Sequence, residues 1–205
     1  MAKITARLEC NKNGLFINLG IGMPTKVADY IEKSVLLQSE NGLLGIGKKA
    51  ILDSEKDPDL VNAGKEAIKI VPGASFFDSA DSFSMIRAGK IDLTILGGME
   101  VSQEGDLANW AIPGKKITGM GGAMDLVAGV KRVVVLMQYF NKNNQSKLVK
   151  TCSLPLTGKG IVDRLITDIG VFDFCNNVVI LKAKPEKMSI RDIESAVPFP
   201  IQIDL

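Results

Sequence analysis

No histidine occurs in these 205 residues. That absence removes serine–histidine–aspartate and cysteine–histidine catalysis, imidazole proton shuttling and most catalytic zinc sites. Any chemistry must then run on carboxylates, lysine, tyrosine, serine or backbone amides. Cysteine is scarce as well: Cys10, Cys152 and Cys175 stand far apart without metal-ligand spacing, and their odd number argues against a disulfide framework. The net charge is only +2, which points to neither a nucleic-acid nor a membrane partner. The longest apolar runs, such as Val133–Met137, fall far short of the ~20 residues of a membrane span. The opening stretch "MAKITARLECNKNG" has no apolar core of the kind a secretory signal needs, so a cytoplasmic protein is expected.

What is present alternates apolar, β-branched runs with helical segments. "GLFINLG" (14–20) is predicted as a buried strand, followed by a glycine loop and a helix over 24–33, where Pro24 suits the first turn. A second strand, 34–38, ends at the turn Ser39-Glu40-Asn41-Gly42. Further strands are expected at 67–71, 91–98, 132–140 and 177–184, with "PGASFF" (72–77) turning out of the first of these. Helices are expected at 79–90, with a Ser or Asp cap and a glycine stop, at 124–131 and near 189–196. Residues 161–174 are predicted to start as helix and pass into strand, 48–63 to form a polar excursion, and a strand-like tail to close the chain. The pattern indicates an α/β fold: a single domain, 1–205, with a mostly parallel sheet covered by helices on both faces.

Three glycine-rich loops invite a ligand. "GIGKKA" (45–50) satisfies the loose dinucleotide pattern, but that fingerprint must close a strand and open a helix, and here a turn precedes it and a charged loop follows. "GIGMPT" (20–25) has the strand–loop–helix setting without the third glycine, and is either a tight turn or an anion site at a helix start. No Gly-Lys pair is followed by Ser or Thr, so there is no P-loop. "GMGGAMD" (119–125) leaves backbone N–H groups bare of side chains, which serves either close helix–sheet contact or stabilisation of an oxyanion.

Glu40 is a lone acid at the tip of an apolar strand. An acid before Asn-Gly is commonly a turn residue. In parallel sheets, however, ligands collect beyond the carboxyl ends of strands, and a glutamate, ordinarily ionised, needs no base to act as a nucleophile. Lys65, in "NAGKE" (62–66), is either a solvated lysine or a point charge for a phosphate. Trp110 is expected to cover a core edge and Cys152, without a base partner, to be structural.

These segments form an ordered series: "NLGIGMPT" (18–25), "LQSENGLLGIG" (37–47), "DLVNAGKE" (59–66), 71–101 ending in "GGMEV", "GDLANWAIPGKKITGMGGAMDLV" (105–127) and "CSLPLTGKGIVDRLITD" (152–168). In that order they resemble the β subunit of family I CoA transferases of the 3-oxoacid type. The resemblance implies the CoA-transferase architecture and a ping-pong exchange through a Glu40–CoA thioester. It further implies oxyanion donors at Gly121, Gly122 and Ala123, CoA contacts at Asn18 and Lys65, and no metal. No cofactor is held permanently; acyl-CoA and a short-chain carboxylate are substrates, and an α subunit is the partner. The sequence departs from that family at Gly47-Lys48-Lys49-Ala50 and Gln138-Tyr139. Acetate/butyrate- and 3-oxoadipate-type transferases share the motifs. Two other readings are a sugar-phosphate isomerase-like protein, which leaves Ser-Glu-Asn-Gly unexplained, and a silent acyl-CoA-binding subunit, which a missing nucleophile would favour.

Overall fold

Two short runs, "LTIL", apolar but for Thr94, and "VVVL", apolar at every position, lie side by side at the middle of a ten-stranded sheet and are buried throughout. Strands covered on both faces read as near-continuous apolar runs, and here they do. The computed structural model describes residues 1–205 except Glu32, Lys33, Ala63, Lys115 and Thr118. The chain begins with α1 (Ala2–Glu9), β1 (Phe16–Leu19), a 3₁₀ helix (Met23–Tyr30), β2 (Leu36–Ser39) and β3 (Leu43–Lys49). A 3₁₀ turn (Asp53–Glu55), β4 (Ile68–Phe76), α2 (Ser79–Arg87) and β5 (Leu93–Leu96) follow. Next come β6 (Glu100–Ser102), β7 (Leu107–Ala108), β8 (Ala111–Ile112), β9 (Lys116–Ile117), α3 (Ala123–Gly129) and β10 (Val133–Leu136). The chain closes with β11 (Leu148–Val149), β12 (Arg164–Ile166), β13 (Val171–Cys175), β14 (Val178–Ala183), α4 (Ile190–Ala196) and β15 (Gln202–Ile203).

The main sheet runs β15-β14-β13-β12-β10-β5-β1-β2-β3-β4. Its five central strands, β12 to β2, are parallel, while β3–β4 and β13–β14 flank them as antiparallel pairs. The expected α/β fold is therefore present, with antiparallel wings the sequence pattern did not separate. Alternate side chains sort to two faces. Val133, Val135 and Leu96 join Ile86, Leu126 and Val127 of α2 and α3 on one face; Val134, Leu136, Ile17 and Ile95 join Ala6 of α1 and Val27 of the 3₁₀ helix on the other.

Four expectations are corrected. The stretch 161–174 holds no helix: Ile161, Leu165 and Ile169 mimic helical spacing, but Thr167 turns the chain, its N–H and hydroxyl both donating to the Gly170 carbonyl, and β12 and β13 pair antiparallel. "PGASFF" does not leave the sheet, because β4 is its outermost strand, where a proline without an N–H is tolerated. "GIGKK" belongs to β3; the helix read over 24–33 is a 3₁₀ helix, and residues 32 and 33 lie outside the described residues.

The N-terminal helix α1, which the sequence did not announce, is tied to the sheet by charge. The buried Glu9 carboxylate accepts from Arg132 Nε at 2.8 Å and Arg164 Nη1 at 2.7 Å, while Arg164 also forks onto Asp173. Removing one member of such a pair leaves a charge poorly compensated. Glu9→Ala is expected to lower stability by about 3 kcal/mol. Urea unfolding reads it, and a midpoint unchanged from the parent contradicts it.

Candidate active site

A cavity of about 370 Å³ opens beyond the carboxyl ends of three adjacent parallel strands. Gly20 and Ile21 follow β1, Glu40 follows β2, and Leu96 with Gly97, Gly98 and Met99 stands at the end of β5; all of them line it. This is where ligands gather in open α/β sheets. The opposite wall is the loop from Gly119 to Ala123.

The β2–β3 connection is a three-residue hairpin loop, Glu40-Asn41-Gly42, closed by the Gly42 N–H donating to the Ser39 carbonyl at 3.1 Å. Gly42 lies at φ 114, and a Cβ there would fall 1.9 Å from the Phe77 carbonyl oxygen. Only glycine suits both demands. The turn thereby clamps against the residues that lead into α2, whose first turn is capped by Asp78 accepting from the Asp81 N–H. Gly45 and Gly47 serve close contact in the same hairpin: added Cβ atoms would lie 2.9 Å from Ala74 Cα and 2.9 Å from the Lys69 carbonyl. Sheet contact, not nucleotide recognition, accounts for the Gly-x-Gly of residues 45–47.

Glu40 is half-buried, and one of its oxygens is engaged: Asn18 Nδ2 donates to Oε2 at 3.3 Å. Asn18 stands in β1 directly in register with Gln38 of β2, and its Nδ2 also approaches Gln38 Oε1 at 2.9 Å. Across the cavity, Gly119 and Gly121 adopt φ values of 79 and 51, so the loop takes a path open to glycine. Gly122 comes closest to the acid. A Cβ on it would lie 3.4 Å from Glu40 Cγ and 3.1 Å from the Phe83 ring. The amides of Gly121 and Gly122 make no hydrogen bond to another described residue, whereas the Ala123 N–H already donates to the Met120 carbonyl at 3.3 Å.

Residues 2–196 match the family described as Coenzyme A transferase. The chain belongs to that family. It is similar to one of the subunits of the succinyl-CoA:3-ketoacid coenzyme A transferase of Helicobacter pylori, 57% identical over 195 residues, covering 95% of this chain and 94% of the relative. It is 60% identical over 184 residues to the corresponding subunit of a probable succinyl-CoA:3-ketoacid coenzyme A transferase of Bacillus subtilis, covering 89% and 85%. Among solved structures, the apoenzyme of an acyl-CoA transferase from Escherichia coli superposes with a TM-score of 0.76 at 19% identity, over 99% of this chain and 42% of that one, a likeness of fold.

In this CoA-transferase chain the structure brings together Glu40, Gly121, Gly122, Ala123 and Asn18, but not Lys65. Lys65 is exposed at φ 59 on the turn 62–66 and does not line the Glu40 cavity. Two residues that composition could not single out for the site also line the cavity. Asn109 donates to the Gly97 carbonyl at 3.2 Å and accepts from Thr157, and Trp110, read as a core edge, donates to the Leu156 carbonyl. Nothing short of three-dimensional proximity marks them. Among the described residues no group of three or more Cys, Asp or Glu could hold a metal ion, and no helix is long and apolar enough to cross a membrane.

The cysteines stand apart from the cavity. Burial pushes the Cys152 thiol up to about 12, with Glu100 and Asp106 adding to it, and burial with Glu9 does the same for Cys10, also about 12; Cys175 is exposed. Only thiolates react. Iodoacetamide at about pH 8 is expected to label Cys175 and spare the other two. Peptide mass mapping checks this, and labelling of Cys152 as fast as Cys175 contradicts it.

Proposed function

We propose that this chain is the β subunit of a CoA transferase that passes CoA between an acyl-CoA and a short-chain carboxylate, with Glu40 as nucleophile. The observation that carries the reading is the facing of a carboxylate by a glycine loop across one cavity at the strand ends, with the Gly121 and Gly122 amides unpaired among the described residues. Glu40 attacks the thioester carbonyl; the C–S bond breaks, giving a mixed anhydride and CoA thiolate. The thiolate attacks the glutamyl carbonyl, releasing the first carboxylate and leaving a Glu40–CoA thioester. The second carboxylate attacks that thioester, expelling CoA thiolate and re-forming an anhydride. Thiolate attack on its acyl carbonyl then frees Glu40 and releases the new acyl-CoA.

Every step exchanges a carboxylate for a thiolate, so no proton, electron or metal is needed to balance it. A chain without histidine suffices. Each attack generates an oxyanion, for which Gly121 and Gly122 offer amides; Ala123, engaged with Met120, contributes once that bond is released. Removal of one such donor costs about 100- to 1,000-fold in rate. Asn18 holds Oε2, leaving the other carboxylate oxygen of Glu40 to attack. Lys65 remains assigned to the CoA phosphates, a role for a flexible point charge outside the reaction chamber.

The relatives' names support succinyl-CoA and a 3-ketoacid as the pair, of which we take acetoacetate, and a second subunit as partner; that α subunit is proposed to close the open cavity against water. We further propose that residues 1–205 act as one domain. We assign its action to the cytoplasm and propose that no cofactor is resident. Initial rates for the α/β complex, with succinyl-CoA and acetoacetate varied together, test the reading. Parallel double-reciprocal lines are expected, and no turnover by this chain alone. Intersecting lines exclude the covalent route, and full turnover by the single chain excludes the need for a partner.

A further inference from the structure

At and behind the cavity wall, four polar side chains lie buried in an otherwise apolar layer: Asn18, Gln38, Ser82 and Thr94. Of these only Asn18 lines the cavity itself. Asn18, Gln38 and Thr94 sit in register on three adjacent strands, and Ser82 faces them from α2. Buried polar groups are costly unless their hydrogen bonds are satisfied. Three of them, Ser82, Gln38 and Asn18, form a chain with a direction, whereas the Thr94 hydroxyl has no hydrogen-bond partner among the described residues. The Ser82 hydroxyl donates to the Ser39 carbonyl at 3.4 Å. Its one hydrogen thus committed, Ser82 Oγ accepts from Gln38 Nε2 at 2.6 Å. The Gln38 amide is thereby oriented with Oε1 toward Asn18, from whose Nδ2 it accepts at 2.9 Å. Asn18 in turn presents N–H, not carbonyl oxygen, to Glu40.

The alternative direction is excluded by its far end. With both amides reversed, Asn18 Oδ1 would confront the Glu40 carboxylate and the Gln38 carbonyl, oxygen against oxygen. In the observed direction Asn18 Oδ1 faces none of them and has no hydrogen-bond partner among the described residues. We infer that Ser82 and Gln38 are positioning residues for the transfer reaction: a buried serine–glutamine relay sets the direction of the Asn18 amide and so fixes which Glu40 oxygen is held and which attacks. This rests on Glu40 being the nucleophile. It adds that the orientation is set two residues away, from helix α2. The same helix carries Phe83 against Gly122, so one element governs both walls of the cavity.

The test uses the α/β complex carrying Ser82→Ala, Ser82→Thr, Gln38→Met and the double Ser82→Ala/Gln38→Met substitution. Ser82→Ala and Gln38→Met are each expected to lower kcat about tenfold with KM for the acyl-CoA within about twofold, since orientation rather than binding is lost. The double variant should fall no further than Gln38→Met, because both act through one amide. Ser82→Thr, which keeps the hydroxyl, should recover most of kcat. Thermal unfolding identifies any variant that has lost its fold, and Gln38→Met carries the test if Ser82→Thr is too large for its site. Wild-type kcat in Ser82→Ala and Gln38→Met overturns the relay, as does a loss in Ser82→Thr equal to that in Ser82→Ala with the fold intact. Mass analysis of the parent complex separates the two levels: a Glu40–CoA adduct with unaffected variants rejects only the relay, whereas no adduct in an active parent rejects the nucleophile itself.

Discussion

Glu40→Gln abolishes CoA transfer, with a fall in kcat of at least ~10⁴-fold and an α/β complex otherwise intact; this is the expected result of removing the nucleophile from a covalent route. The side chain keeps its length, and the amide can still meet Asn18 Nδ2 through its oxygen, so the turn has no reason to change. What is lost is the anionic oxygen that attacks the thioester. With no histidine in the chain, no imidazole of its own can activate water or a hydroxyl in its place. Glu40→Asp retains the charge but withdraws it by one methylene from the carbonyl it must reach, and a displacement of that size costs about 100-fold. A Gln variant that turns over at the parental rate would show that the acid does something else.

Gly42→Ala produces the second large effect, and it acts on fold and activity together. The added methyl meets the Phe77 carbonyl oxygen at 1.9 Å in a backbone at φ 114, so the turn carrying Glu40 must move away from the start of α2. A loss of roughly 3 kcal/mol is expected, together with about 100-fold in kcat as the carboxylate is displaced. Gly14→Ala is the matched comparison. Gly14 has φ 76 with no heavy atom within 4 Å of the added Cβ, so backbone strain alone operates, at about 1 kcal/mol. Equal unfolding midpoints for the two variants would show that the contact with Phe77 has no energetic weight.

Much of the central sheet can be read from the sequence because its strands are predominantly apolar and bounded by turn residues. β1, β2, β5 and β10 fall within the stretches read as strands or, for β2, one residue past them. The helix stops follow the same logic, Asp78 opening α2 and Gly89 at φ 67 ending it. The failures have physical causes. α1 is short, has no side-chain cap and draws its anchorage from Glu9 meeting arginines more than a hundred residues away. In 161–174 a helical spacing of apolar residues is answered by a Thr-Asp-Ile-Gly turn and the antiparallel pairing of β12 with β13, Arg164 meeting Asp173 across the hairpin. At the site, Glu40 and the glycine loop were visible as types of residue in the right order. Their facing across a cavity was not, because about 80 residues separate them and α2 with Phe83 sets the gap. Asn109 and Trp110 lie within the 105–127 stretch, but nothing in it marks either for the site.

The central claim is that the Glu40 side chain itself becomes a CoA thioester. The most direct measurement is mass analysis of the α/β complex incubated with succinyl-CoA and no acceptor, digested and mapped to peptides. A CoA-sized addition is predicted on the peptide containing Glu40, absent from the Glu40→Gln complex and discharged when acetoacetate is added. An addition on any other residue, or an active complex with none, would contradict it.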